Sequence, residues 1–456
     1  MTLETILTHI DREQPTAVKR LSDLLRIPSV STDPAFAKHC ASGADWVAGQ
    51  LNECGLRAKV MPTGGHPAVL ARYNDAPEGS PRLLFYGHYD VQPPDPLDLW
   101  TTPPFEPTVR DGKLYARGAS DDKGQVMCFV ESLRAWKQVN GKFPINLTLL
   151  IEGEEECGSI NLERFIREHN ADLAADVCAV SDTAMWSIDT PAITYALRGL
   201  IYFEVKLFGP NRDLHSGVYG GSVPNPATEL ALVLGQLFDK DHRVTLPGFY
   251  DDVAPLTDEE RRQWTSLGFD EKKYADSLAL PALLGEKGFT ALERRWARPT
   301  CDINGLFGGY MGEGAKTVIP SFAGAKVSCR LVANQDPLKI DKAFRAFFES
   351  RTPTGCRWQI TQFSAAPPVS VRTDTPAMSA AKKAVQTAFG KPPVLIREGG
   401  SIPVVATFKK LLGLDTLLIG FGLNDDNLHS PNEKFDLINF HRGIKTYAAL
   451  LAELAR

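Results

Sequence analysis

The sequence predicts an α/β fold, a mostly parallel sheet with helices on both faces, carrying an inserted smaller α+β domain. Three observations predict it. Short apolar runs alternate with helical stretches between residues 83 and 180, and the alternation resumes after about 376. After Trp186 the order changes to two strands, a helix, a long polar stretch, two strands and a helix. A chain of 456 residues, 43% hydrophobic and 23% charged, is also long enough for at least two hydrophobic cores.

Leu3, Ile6, Leu7 and Ile10 recur at helical spacing and predict a helix to about Leu25; a second fits Gly43 to Cys54. Leu83 to Tyr86 reads as a strand ending at Gly87. A helix from about Gly124 to Val139, a strand from Asn146 to Ile151, a helix from Ser159 to His169 and a strand from Val177 to Val180 follow. Thr194 to Phe208 reads as two strands joined near Arg198-Gly199, and Pro226 to Leu237 as a helix. Residues 240–300 carry no strand signal. Strands near Thr317 to Ile319 and Ala325 to Val332 precede a helix from Pro337 to Ser350. A helix from Pro376 to Phe389, a strand from Thr416 to Phe421 and a closing helix from Asn439 complete the larger domain. Residues 1–196 and 372–456 are thus expected in one discontinuous domain and 197–371 in the insertion.

Composition excludes several function classes. A net charge of -5 gives no basic field for nucleic acid or an anionic membrane. Arg294, Arg295 and Arg298, interleaved with Glu293 and Trp296, read as a solvated helix face. The N-terminus lacks the basic and apolar regions of a secretory signal, and no apolar run approaches the roughly 20 residues of a membrane span. Eight scattered cysteines without a Cys-x-x-Cys pair suit reduced thiols, and the expected location is cytoplasmic.

The chemistry lies at the ends of the predicted strands. His88 and Asp90, two apart in an extended segment, can share a face, so the carboxylate can orient the imidazole. Asp121 and Asp122 precede a helix and fit either an N-cap pair or a ligand pair. Glu154, Glu155 and Glu156 follow Leu147–Ile151, as an acidic loop or as ligands; Asp182 follows Val180; His429 follows the Leu417–Phe421 run, in a turn. In open α/β sheets ligand sites lie beyond the carboxyl ends of the strands, so five segments converge on one crevice. So many carboxylates need cations beside them. Two imidazoles with several carboxylates suit Zn²⁺, Mn²⁺ or Co²⁺, and the number of ligands suits two ions bridged by a carboxylate and a water.

Five motifs carry a family resemblance: His88-Tyr-Asp-Val-Gln-Pro93, Arg117-Gly-Ala-Ser-Asp-Asp-Lys-Gly124, Glu154-Glu-Glu-Cys-Gly-Ser159, Asp213-Leu-His-Ser-Gly217 and His429-Ser-Pro-Asn-Glu433. In order, and over essentially the whole chain, they resemble the M20 metallopeptidases, nearest the cytosolic nonspecific dipeptidase and carnosinase branch. The resemblance implies a zinc-peptidase-like catalytic domain with an inserted lid and dimerisation domain, and two divalent ions per subunit. It implies His88 and Asp182 on one ion, Glu156 and His429 on the other, Asp121 bridging them, and a cis peptide bond between Asp121 and Asp122. Asp90 would orient His88, and Glu155 would be the general base. That assignment places Glu-Glu-Cys-Gly-Ser on the family's Glu-Glu-x-Gly-Ser, which leaves Glu154 as an extra carboxylate. His215 would serve the partner subunit's site in a homodimer. Thr317, Arg330 and Ser401 would surround the substrate, with Arg330 on its C-terminal carboxylate. The implied activity is hydrolysis of dipeptides. Alternatives are an amidohydrolase acting on N-acyl, N-carbamoyl or N-succinyl amino acids, or an inactive binding protein on the same fold.

Overall fold

Two compact units make up the chain in a computed structural model, which describes residues 2–400 and 402–456. One comprises Met1–Tyr195, Val371–Ile396 and Thr407–Arg456; the other comprises Ala196–Ser370 and Arg397–Ala406. The short segment Arg397–Ala406, expected in the larger domain with the rest of 372–456, groups with the smaller unit.

The larger unit is built on a mixed sheet. Strands Asn146–Glu152, Arg82–His88, Val177–Val180 and Thr416–Leu418 lie side by side and run parallel. Arg57–Met61 and Ala68–Tyr73 extend one side antiparallel, and Ala192–Leu197 meets Thr416–Leu418 antiparallel on the other. The central strands are buried along nearly their whole length, which is why they read as continuous apolar runs. Adjacent residues of one strand face opposite helical layers. Phe85 stacks on Phe129 at 4.0 Å and meets Tyr447 edge-on, while Tyr86 meets Phe408 edge-on at 5.5 Å. These partners sit on helices Lys123–Asn140, Leu437–Leu454 and Pro403–Leu412.

Helix Leu3–Leu25 matches its periodicity, whereas the second helix, Ala37–Glu53, begins six residues before the expected start at Gly43. Its start is set by Pro34–Phe36, a short turn capped by the Asp33 side chain on the Ala35 N–H at 2.9 Å. A small three-stranded sheet joins Thr108–Arg110, Lys113–Tyr115 and Lys434–Asp436, the last two antiparallel. Those two strands flank the loops that carry Asp121 and His429.

In the smaller unit an antiparallel sheet runs in the order Thr300–Gly308, Phe322–Leu331, Gly199–Phe208, Arg357–Ala366. Ile201, Phe203, Val205 and Leu207 alternate into a core shared with helices Pro226–Leu234 and Pro337–Glu349. Thr194 to Phe208 therefore forms no hairpin: Ala192–Leu197 and Gly199–Phe208 belong to different sheets. The polar stretch 240–300 folds into helices Asp258–Ser266, Glu271–Ser277 and Ala291–Ala297, two of them opened by capping boxes. Arg298 is not part of a solvated face. Its guanidinium pairs with Glu286 at 2.7 and 2.8 Å and lies over the rings of Phe289 and Tyr250. No helix among the described residues is long and apolar enough to cross a membrane.

Candidate metal centre

The parallel strands deliver their carboxyl ends to one edge of the sheet, and the candidate ligands gather there. His88 closes strand Arg82–His88, Glu156 lies just after Asn146–Glu152, Asp182 just after Val177–Val180, and His429 in the loop beyond Thr416–Leu418. Asp121 arrives differently, from the loop before helix Lys123–Asn140. Two groups of potential ligand atoms form, each within 4.8 Å: His88, Asp121 and Asp182, and Asp121, Glu156 and His429. Asp121 belongs to both. Its Oδ1 lies 3.3 Å from His88 Nε2, and its Oδ2 lies 2.9 Å from His429 Nε2.

Two of the candidate ligands, His88 and Glu156, are oriented by neighbours. His88 Nδ1 donates to the carbonyl of Asp90 at 3.1 Å, with Asp90 Oδ1 at 3.4 Å, which leaves Nε2 to face the other candidate ligands. The Asp90 carboxylate makes its shortest bonds elsewhere: it accepts from the backbone N–H of Glu156 at 3.0 Å and of Glu155 at 3.3 Å. Asp90 thus ties the His88 strand end to the turn carrying Glu155 and Glu156. Gln92 Nε2 donates to Glu156 Oε2 at 2.8 Å, a contact that His-x-Asp spacing gives no sign of. Asp122 Oδ2 accepts from the His88 N–H at 3.1 Å. This approach requires glycine at Gly87, where a Cβ would stand 2.5 Å from Val126 Cγ2 and 2.8 Å from Asp122 Oδ2. The Asp121-Asp122 peptide bond is cis.

Glu154 belongs to neither group: its carboxylate accepts from Asn161 Nδ2 at 3.0 and 3.1 Å and from Thr63 at 3.4 Å. His429 sits at φ +57°, a left-handed conformation that costs a non-glycine residue energy, and its side chain is 56% exposed. The smaller unit holds the other candidates. His215 and Thr317 are neighbours there, since His215 pairs with Val318 and the Ser216 N–H bonds to the Thr317 carbonyl at 3.1 Å. Arg330 lies on strand Phe322–Leu331, paired with Leu200 and Thr300. Ser401 lies outside the described residues.

The electrostatics call for positive charge. Burial, and then Asp121, push Glu156 up to about 8. Burial also pushes Asp122 and Glu152 up to about 8, and holds Asp182 well above the usual carboxyl range together with Asp121 and Asp122. Asp121 runs the other way: burial raises it, but the hydrogen bond to His429 and the nearby His88 imidazole hold it low. The bond to Asp121 pushes His429 up to about 9. His88 Nε2 is buried with no hydrogen-bond partner. An orphaned imidazole nitrogen facing carboxylates suits a divalent ion that accepts mixed nitrogen and oxygen ligands.

A pH dependence follows. Carboxyls held near 8 when folded keep protons that the unfolded chain releases above about 4.5, so they lower stability as pH rises through that interval. His429, raised above 6.5, contributes stability that is lost as pH rises through about 9. Asp121 opposes this only in acid, as pH falls through and below the ordinary aspartate range. Metal-free protein should therefore melt at a lower temperature at pH 8 than at pH 5.5, and added Zn²⁺ should raise the melting temperature most at pH 8. A metal-free melting temperature that rises over this interval contradicts the electrostatic account.

Comparison with known proteins gives a consistent result. Residues 84–453 match the model of peptidase family M20/M25/M40. The Cys-Gly metallodipeptidase dug1 of Schizosaccharomyces pombe is 34% identical over 476 residues, covering 100% of this chain and 99% of that protein. The solved structure of human carnosine dipeptidase 1 aligns with a TM-score of 0.84 at 32% identity, covering 100% of this chain and 99% of that one. The M20 family metallo-carboxypeptidase Sso-CP2 from Sulfolobus solfataricus aligns with a TM-score of 0.86 at 32% identity, covering 96% and 99%.

Proposed function

Given that the chain belongs to peptidase family M20/M25/M40, we propose that it is a metal-dependent dipeptidase that uses two divalent ions, Zn²⁺ or Mn²⁺, to cleave dipeptides with a free C-terminal carboxylate. The observation that carries this reading is Asp121, which offers one oxygen to His88 and the other to His429. His88, Asp121 and Asp182 would hold one ion, and Asp121, Glu156 and His429 the other. Ions held there would lower the pKa of a water and polarise the scissile carbonyl.

The remaining chemistry falls to side chains. Glu155 takes a proton from the attacking water, holds it on its carboxyl, and delivers it to the leaving amine. A base that must keep a proton between two steps needs a raised pKa. Burial raises that of Glu155; His88 pulls it down, while Asp121 and Asp90 push it up. Asp90 fixes both the Glu155 turn and the His88 ring, so the base and one ligand share one support. Arg330, with His215 and Thr317, supplies recognition, and His215 acts in the partner's site of a homodimer.

Arg330 reads the substrate's carboxylate. A charge-assisted hydrogen bond contributes about 1.5–3 kcal/mol, so Arg330→Met should lower kcat/KM for dipeptides by roughly 10- to 100-fold. C-terminally amidated analogues should lose far less, and equal losses on both would remove Arg330 from this role.

Among the neighbours, two are named as dipeptidases and one as a carboxypeptidase, and both chemistries release a residue bearing a free carboxylate. A panel of dipeptides, longer peptides and N-acyl amino acids tests the proposal. Cleavage confined to dipeptides supports it. Stepwise release from long peptides would assign a carboxypeptidase, and cleavage of N-acyl amino acids alone would assign an amidohydrolase.

A further inference from the structure

Glu433 is fully buried, four residues after His429, and takes no part in either ligand group. Both of its carboxylate oxygens are spent on the loop that carries Asp121. Oε1 accepts from the backbone N–H of Ser120 at 2.9 Å and of Asp121 at 3.0 Å. Oε2 accepts from the Gly118 N–H at 2.9 Å and from Arg117 Nη1 at 2.8 Å. Its own carbonyl accepts from the Ala116 N–H at 3.2 Å, where strands Lys113–Tyr115 and Lys434–Asp436 pair.

A second tie stands on the other side of His429. Asp426 Oδ2 accepts from Ser120 Oγ and from the Leu423 N–H, both at 2.8 Å, and its Oδ1 accepts from Lys434 Nζ at 2.6 Å. The loop bearing His429 is therefore fastened to the loop bearing Asp121 at points before and after the histidine. With all four carboxylate oxygens of Glu433 and Asp426 engaged, this buried network holds one arrangement of the two loops.

We propose that Glu433 is a positioning residue for the metal centre: it fixes the backbone of Asp121, the residue common to both ligand groups, and makes the Asp121 and His429 loops one rigid support. The inference rests on the two-ion reading of the site. Metal binding then needs only His88, Asp182 and the Glu156 turn to meet a preformed Asp121–His429 pair. Without Glu433, four donors lose their acceptor, and Asp121 must be ordered by the ions themselves at the expense of their affinity.

Glu433→Gln keeps the shape and removes the charge and half the accepting capacity. Outer-shell partners of metal ligands typically affect affinity by 10- to 100-fold, and a loss in that range is expected here. The measurement is competition between metal-free protein and a chromogenic chelator for Zn²⁺, with the melting temperature of the metal-free forms measured alongside. A loss of 10-fold or more in Zn²⁺ affinity, beyond any change in metal-free melting temperature, supports the inference. Both ions bound within 3-fold of the unaltered chain, or a lowered metal-free melting temperature with unchanged affinity, overturns it and assigns Glu433 to stability alone. Should Glu433→Gln not fold, Arg117→Met with Glu433→Gln, which removes both charges of the buried pair, takes its place with the same outcomes. Failure of the unaltered chain to take up Zn²⁺ overturns the two-ion reading itself.

Discussion

Glu155→Gln should lose between about 10² and 10⁴ in kcat while keeping its metal, since general acid–base transfer is worth that much. Glutamine fills the same space and cannot take a proton. The turn would still be held, because the Asp90 carboxylate bonds to the backbone N–H of Glu155 and not to its side chain. KM should move little, because the lost interaction belongs to the proton in flight and not to the bound substrate. Metal analysis beside steady-state kinetics checks this. A variant that loses metal would make Glu155 a ligand and shift the assignment of the acidic run by one residue. The geometry argues against that shift: Glu156 joins Asp121 and His429, while Glu154 is engaged by Asn161 and Thr63.

Asp121→Ala should have the largest effect on metal content. It removes an oxygen from each ligand group and leaves His88 Nε2 and His429 Nε2 without the carboxylate between them. The loss of affinity should exceed the 10- to 100-fold typical of outer partners, and bound metal should fall from two ions per chain to one or fewer. Turnover should vanish with it. The pKa of His429 should also fall, since its hydrogen bond to Asp121 is the largest cause of its elevation. Two ions retained at near-normal affinity would show that Asp121 is not shared.

Much of the catalytic unit is legible in the sequence. The central strands are buried on both faces, so Leu83–Tyr86, Leu147–Ile151 and Val177–Val180 announce themselves as apolar runs, and ligand-type residues follow each. The supports are harder to read. Glu433 bonds to backbone N–H groups, and its partner Ser120 lies 313 residues away, so no side-chain pattern marks the contact. Gln92 looks like an ordinary polar residue until Glu156 folds beside it.

In the smaller unit the misses have local causes. Thr300–Gly308 contains two glycines and a register shift, and Arg357–Ala366 is mostly exposed, with its alternation broken by an irregularity after Gln362. Neither gives a clean period of two. The capping boxes Thr257–Glu260 and Thr290–Glu293 are present in the sequence and mark helix starts that apolar periodicity alone passes over.

Reconstitution of metal-free protein tests the central claim most directly, with bound ions and dipeptide hydrolysis followed together as Zn²⁺ or Mn²⁺ is added. The account predicts no hydrolysis in chelator and a return of activity that reaches its plateau at two ions per chain. Hydrolysis that persists without metal, or a plateau reached at one ion, would contradict it.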